Sequence, residues 1–199
     1  MVQPLILASG SAIRAELLRR ANVPFEILPA TVDESAIKAS LLAEGASPRD
    51  IADALAEAKA RKIASKRPEV LVLGCDQVLE FDGTVLSKPA TVDDAVVQIQ
   101  GLRGKRHDLH SAAVVYEGAT PLWRHVGHAR MWMRDISDAY AHDYVERNWE
   151  SIRTSVGGSK IEEEGVRLFS RIEGDHFTIL GLPLLQLLPW LTARGTLPE

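Results

Sequence analysis

A single cysteine among 199 residues leaves no partner for an internal disulfide, which excludes a disulfide-built secreted scaffold and suits a reducing compartment. No stretch approaches the roughly 20 consecutive apolar residues that a membrane-spanning helix needs. Neither sign of charge dominates: 23 Lys and Arg stand against 27 Asp and Glu, a net −4. That balance does not imply a broad nucleic-acid surface, although local basic clusters can still bind phosphate. Internal repeats, low-complexity tracts and linker-like stretches are missing too. The N-terminus carries no basic n-region and reads directly as a strand, so no signal peptide and a cytoplasmic location are expected. What remains, 46% hydrophobic and 25% charged, describes one globular domain spanning residues 1–199.

The pattern alternates strand and helix. Leu5–Ala8 reads as a strand, Ala15–Ala21 as a helix ended by Asn22 and Pro24, and Phe25–Leu28 as a second strand. A loop through Pro29, Asp33 and Glu34 follows. Ser47-Pro48-Arg49-Asp50 is a helix start, with capping serine, proline at the first position and an acid three residues after the cap. The helix runs to Ser65. Val70–Cys75 is apolar throughout, as a strand covered on both faces would be, and Phe81-Asp82-Gly83-Thr84 reads as a hairpin turn. Thr91 caps a helix to Leu102, and His107–Met133 reads as two or three longer strands. A helix over Ser137–Trp149, strands over Val166–Ile172 and His176–Leu180, and a helix over Leu184–Leu191 complete the chain. Helix-separated strands first and hairpin-like strands later predict an α/β fold with a mixed sheet.

The first strand stops at Ser9-Gly10-Ser11, and a helix begins at once with Arg14 in its first turn. A helix N-terminus presents unpaired N–H groups and the positive end of the dipole, and Ser9, Ser11 and Arg14 would add donors suited to phosphate. The same Ser-Gly-Ser could serve merely as a cap. Asp76 ends the most apolar strand, where α/β proteins open their ligand crevice, or it caps the next turn. Asp33-Glu34 could supply a second carboxylate, and paired hard oxygens favour Mg²⁺ or Mn²⁺; otherwise it is a solvated loop. Lys59, on a charged helix, and Lys88, before Pro89, read singly as surface charges, but with Arg14 they supply the cations a triphosphate requires. His107/His110 and His125/His128 are spaced by three in strands, which points each pair to opposite faces and argues against zinc. Cys75 reads as a small buried residue.

These elements in this order resemble the Maf family of nucleoside triphosphate pyrophosphatases over nearly the whole length. The resemblance rests on Leu7-Ala8-Ser9-Gly10-Ser11 with Arg14, Glu16, Leu17 and Leu18, on Val32-Asp33-Glu34, and on Leu55–Ala60. It continues through Gly74-Cys75-Asp76-Gln77, Lys88-Pro89, Leu102-Arg103-Gly104-Lys105 with His107, Glu173-Gly174-Asp175 and Gly181-Leu182-Pro183-Leu184.

The resemblance implies an elongated, mixed-sheet α/β fold with a central cleft, like that of the inosine triphosphatases, usually as a homodimer. It implies a divalent metal, Mg²⁺ or Mn²⁺, and cleavage of a nucleoside triphosphate between the α and β phosphates. Asp76 then matches the proton acceptor and shares the metal with Glu34; Arg14, Lys59 and Lys88 match phosphate contacts, with Ser9 and Ser11 in the phosphate loop.

Several positions depart from the common pattern. Ser11-Ala12-Ile13-Arg14 replaces Ser-Pro-Arg-Arg, and Gly157-Gly158-Ser159-Lys160 replaces Gly-Ala-Tyr-Gly. Gln77 follows Asp76 in place of Thr, and Glu162 stands where the pyrimidine-preferring branch has Gln. The Gln77 and Glu162 pair resembles the branch that hydrolyses 7-methyl-GTP, which carries Trp where this chain has Ile13, so Ile13, Gln77 and Glu162 are the expected specificity positions. The competing expectations are a nucleotide-binding regulator of septum formation and a phosphatase that releases orthophosphate.

Overall fold

The computed structural model describes residues 5–198. A mixed seven-stranded sheet has the order β2-β1-β3-β5-β6-β7, with β4 paired to β3. β1 (Leu5–Leu7) lies parallel to β2 (Phe25–Ile27) and to β3 (Leu71–Phe81). β4 (Thr84–Leu86), β5 (Arg106–Glu117), β6 (Thr120–Met133) and β7 (Phe169–Glu173) form the antiparallel part. α1 (Ala12–Arg20), α2 (Glu34–Ala43), α3 (Pro48–Ala64), α4 (Val92–Leu102), α5 (Asp138–Ile152), α6 (His176–Ile179) and α7 (Leu184–Ala193) complete it. Among the described residues no helix is long and apolar enough to cross a membrane.

Alternation along β3 and β5 divides the core between the sheet faces. Val72, Val78, Ala112 and Val114 pack with α3 on one face. On the other, Leu73, Cys75, Ala113 and Val115 pack with α1 and α7, and farther along Leu79, Leu109 and Met131 pack with α4 and α5.

The centre of the fold is an interruption on one side of β3. β1 covers that side at Leu71–Leu73 and β4 covers it at Leu79–Phe81, so among the described residues no strand pairs there with Gly74–Val78. On its other side β3 stays paired with β5 from Leu71 to Glu80.

Four expectations need correction. Asp76 lies within β3, not at its end, because pairing with β5 carries Asp76–Glu80 on as strand. The expected loop at Glu34 is the start of α2, capped by Asp33, which accepts from Ala36 N at 2.9 Å. His176–Leu180 is not a strand: Asp175 accepts from the N–H groups of Phe177 and Thr178 and winds the β-branched segment into α6. Likewise Glu164–Leu168 is a 3-10 turn, so strand begins only at Phe169.

Candidate active site

The groups that converge at the gap in β3 come from β1, α1, α2, α3 and β3 itself. Ser9 is buried at the end of β1, and its Oγ accepts from Ser11 N at 3.3 Å and from Arg14 Nη1 at 3.1 Å. Ser11 occupies the N-cap of α1 but makes no side-chain cap bond, so its hydroxyl is free for a ligand. Arg14 is anchored from three directions: Nη1 also donates to Cys75 O at 3.2 Å, and Nε donates to Gly181 O at 2.7 Å. No protein acceptor meets Nη2 among the described residues, which leaves that amino group for an anion.

Next to Cys75, Asp76 turns toward α3. Lys59 Nζ donates to Asp76 Oδ1 at 2.5 Å and pairs with Glu34 Oε1 at 2.8 Å. The side chains of Lys59 and Asp76 are only 9% and 10% exposed, whereas Glu34 at 45% faces solvent. Partial burial opposes ionisation of Glu34, but the hydrogen bond and charge of Lys59, with the charges of Lys88 and Lys38, hold its carboxyl below the ordinary range. Lys88 is exposed and joins the site through that charge.

Gly74 makes this meeting possible. A Cβ there would lie 2.1 Å from Ala56 O and 2.6 Å from Ala60 N, so only glycine lets α3 lie directly against β3 and bring Lys59 to Asp76. A lone glycine inside an apolar run was the available signal.

The specificity positions are dispersed. Ile13 is half-buried against the α1–α7 core. Gln77 points to the opposite sheet face from Asp76, where its amide donates to Ser111 Oγ and Ile179 O, each at 2.9 Å, and to Thr178 O at 3.3 Å. Of three consecutive glutamates, Glu163 accepts from Ser151, and Glu164 accepts from Arg147 and Asn148. Glu162 is exposed and accepts no hydrogen bond from the described residues.

The remaining candidates are structural. Burial pushes the Cys75 thiol up to about 11, which leaves it protonated and unreactive. His107 is buried against Phe169, and desolvation pushes it down to about 4. His110 stacks across strands on His128, with ring centroids 4.9 Å apart.

The donor set fits a small divalent cation. Two carboxylates already surround one positive charge, the Lys59 ammonium, and Mg²⁺ is commonly held by one or two carboxylates together with substrate phosphates and water.

These features define a class: an α/β protein whose helix N-terminus, arginine and buried lysine can receive an anion beside two carboxylates. The chain belongs to the Maf family, since the family described as Maf-like protein matches residues 4–194. It is 62% identical over 199 residues, all of both chains, to the nucleoside triphosphate pyrophosphatase of Roseobacter denitrificans. It is 45% identical to the 7-methyl-GTP pyrophosphatase of Mesorhizobium japonicum, with 99% of each chain covered. A solved structure titled nucleoside-triphosphatase / dITP/XTP pyrophosphatase, from Mycobacterium abscessus, covers 98% of each chain at TM-score 0.42 and 12% identity.

Proposed function

We propose that the chain hydrolyses nucleoside triphosphates between the α and β phosphates, releasing a monophosphate and pyrophosphate. The observation that carries this reading is the Lys59 ammonium held between Asp76 and Glu34, one residue from the carbonyl that anchors Arg14. Arg14 Nη2, Ser11 and the first N–H groups of α1 bind phosphate oxygens, and Lys59 and Lys88 oppose the charge that gathers on the departing pyrophosphate. Asp76 Oδ2, the oxygen not bonded to Lys59, accepts a proton from the attacking water as its oxygen bonds to the α-phosphorus. The bridging oxygen leaves with pyrophosphate. Mg²⁺ or Mn²⁺ at Glu34 and Asp76 would supply charge neutralisation and a more acidic water.

The base read best by Glu162 is guanine-type. An ionised carboxylate offers only acceptors; guanine presents N1–H and the N2 amino group side by side, whereas uracil and thymine set one N–H between two carbonyls. N7-methylation adds positive charge to the ring and strengthens that pairing. Support comes from the free carboxylate of Glu162 and from the 7-methyl-GTP pyrophosphatase among the relatives. A cytoplasmic homodimer is part of the same reading.

Incubation with 7-methyl-GTP, GTP, dTTP and UTP plus metal, resolving pyrophosphate from orthophosphate, tests it. Pyrophosphate with a higher kcat/KM for the guanine-type substrates is expected. Orthophosphate would indicate a phosphatase, no product a nucleotide-binding regulator, and a preference for dTTP or UTP would remove Glu162 from base reading.

A further inference from the structure

On the sheet face that carries α1, α7, α4 and α5, the two apolar clusters do not merge. Between them runs a row of register partners, Gln77 on β3, Ser111 on β5 and Gly127 on β6. α6 sits on this row. Thr178 is 2% exposed and lies against Gly127, where a Cβ would come within 2.4 Å of Thr178 Oγ1. Ile179 joins the α4–α5 cluster and Leu180 the α1–α7 cluster, so the end of α6 ties the two together.

The Thr178 carbonyl is the hub of the seam. It accepts from Ser111 Oγ at 2.7 Å, from Gly181 N at 3.0 Å and from Gln77 Nε2 at 3.3 Å. Gly181, at φ +93°, then turns its own carbonyl onto Arg14 Nε at 2.7 Å; a Cβ there would stand 3.1 Å from that nitrogen. Hydrogen bonds on both sides of the Gly181 backbone therefore link the fully buried Ser111 to the guanidinium.

We propose that Ser111, with Gln77, is a positioning residue that pins the Thr178 carbonyl and thereby aims Arg14 at the substrate phosphates. Gln77 acts here through protein acceptors, Ser111 Oγ and the carbonyls of Thr178 and Ile179. The inference rests on the pyrophosphatase reading, since it needs Arg14 to bind phosphate.

The test uses Ser111→Ala and Ser111→Cys, the second keeping the volume while weakening the donor. Loss of one aligned hydrogen bond behind a binding group is expected to raise KM about five- to tenfold with kcat within about twofold. Ser111→Cys should melt close to the wild type and still show the raised KM. In an Arg14→Lys background Ser111→Ala should add no further loss, because both changes act on the same contact. Calorimetry with inorganic tripolyphosphate reads binding apart from chemistry and should show the same weakening. Equal affinity and KM in wild type and both variants would overturn the proposal, as would full additivity with Arg14→Lys. A wild-type chain that binds neither tripolyphosphate nor nucleoside triphosphates would overturn the functional reading and this inference with it.

Discussion

Lys59→Met separates the electrostatic account of the site from a merely steric one. The substitution keeps an unbranched side chain and removes the ammonium that Asp76 and Glu34 share. Asp76, at 10% exposure, is then left as a buried carboxylate without its cation, with Glu34 directed at the same point. Breaking a buried ion pair from one side costs about 3–5 kcal/mol. For a domain of this size each kcal/mol lowers Tm by roughly 2–4 °C, so a loss of about 6–20 °C is expected. Asp76→Asn is the control. It keeps the shape, and Lys59 retains Glu34 at 2.8 Å, so a cost near 1 kcal/mol is expected while turnover falls about 100-fold or more.

The pH profile adds a sign. In the wild type the Glu34 carboxyl is held low, so its stabilisation is present above the unfolded carboxylate range and is lost as pH falls through the folded value. Without Lys59, burial acts on Glu34 with less opposition and pushes it up. A raised group stabilises below its unfolded value and loses that contribution as pH rises, so mild acid should narrow the gap between variant and wild type. Thermal unfolding by circular dichroism from pH 4.5 to 8, beside steady-state kinetics, checks both points. A Lys59→Met protein melting within about 2 °C of wild type would refute the balance of charge described here. An Asp76→Asn enzyme with near-normal turnover would remove Asp76 from the mechanism.

Gly74→Ala places a methyl group against the backbone of Ala56 and Ala60, so α3 must lift from β3. A cost of about 1–3 kcal/mol or more in denaturant unfolding is expected, with turnover falling as Lys59 withdraws from Asp76. His107 is held neutral to about pH 4, whereas the unfolded chain takes up a proton near 6.5. The native state should therefore lose about 2–3 kcal/mol between pH 7 and 4.5, and His107→Leu should flatten that slope in urea titrations. Glu162→Gln should narrow the preference for guanine-type triphosphates roughly tenfold in competing kcat/KM measurements.

Local signals in the chain carried much of this architecture. The caps at Ser47 and Thr91 are real, with side chains accepting from Asp50 N and Asp94 N. Arg14, Lys59, Asp76 and Glu34, each ambiguous alone, meet at one place because their elements end or cross at the gap in β3. Features set by tertiary partners were not legible. Nothing local to Asp76–Glu80 announces that β5 will hold it as strand, and α2 buries no residue, so its apolar positions gave no clear core face. Thr178-Ile179 has strand-like composition, overridden by the Asp175 cap and by the room that Gly127 leaves for Thr178. Ser111 lay hidden for a different reason: a serine inside a strand reads as neutral until the carbonyl above it is seen.

The interruption along β3 has a consequence for solubility. A sheet edge that displays unpaired main-chain groups invites strand addition from another molecule. Along this side of β3 only Gly74–Val78 is open, closed at one end by β1 and at the other by β4, and Arg14 already occupies the Cys75 carbonyl. An incoming strand would have to enter a slot bounded at both ends, with a guanidinium across it. A small ligand faces no such obstruction. The gap can thus offer bare peptide dipoles to what it binds while denying them to an incoming strand.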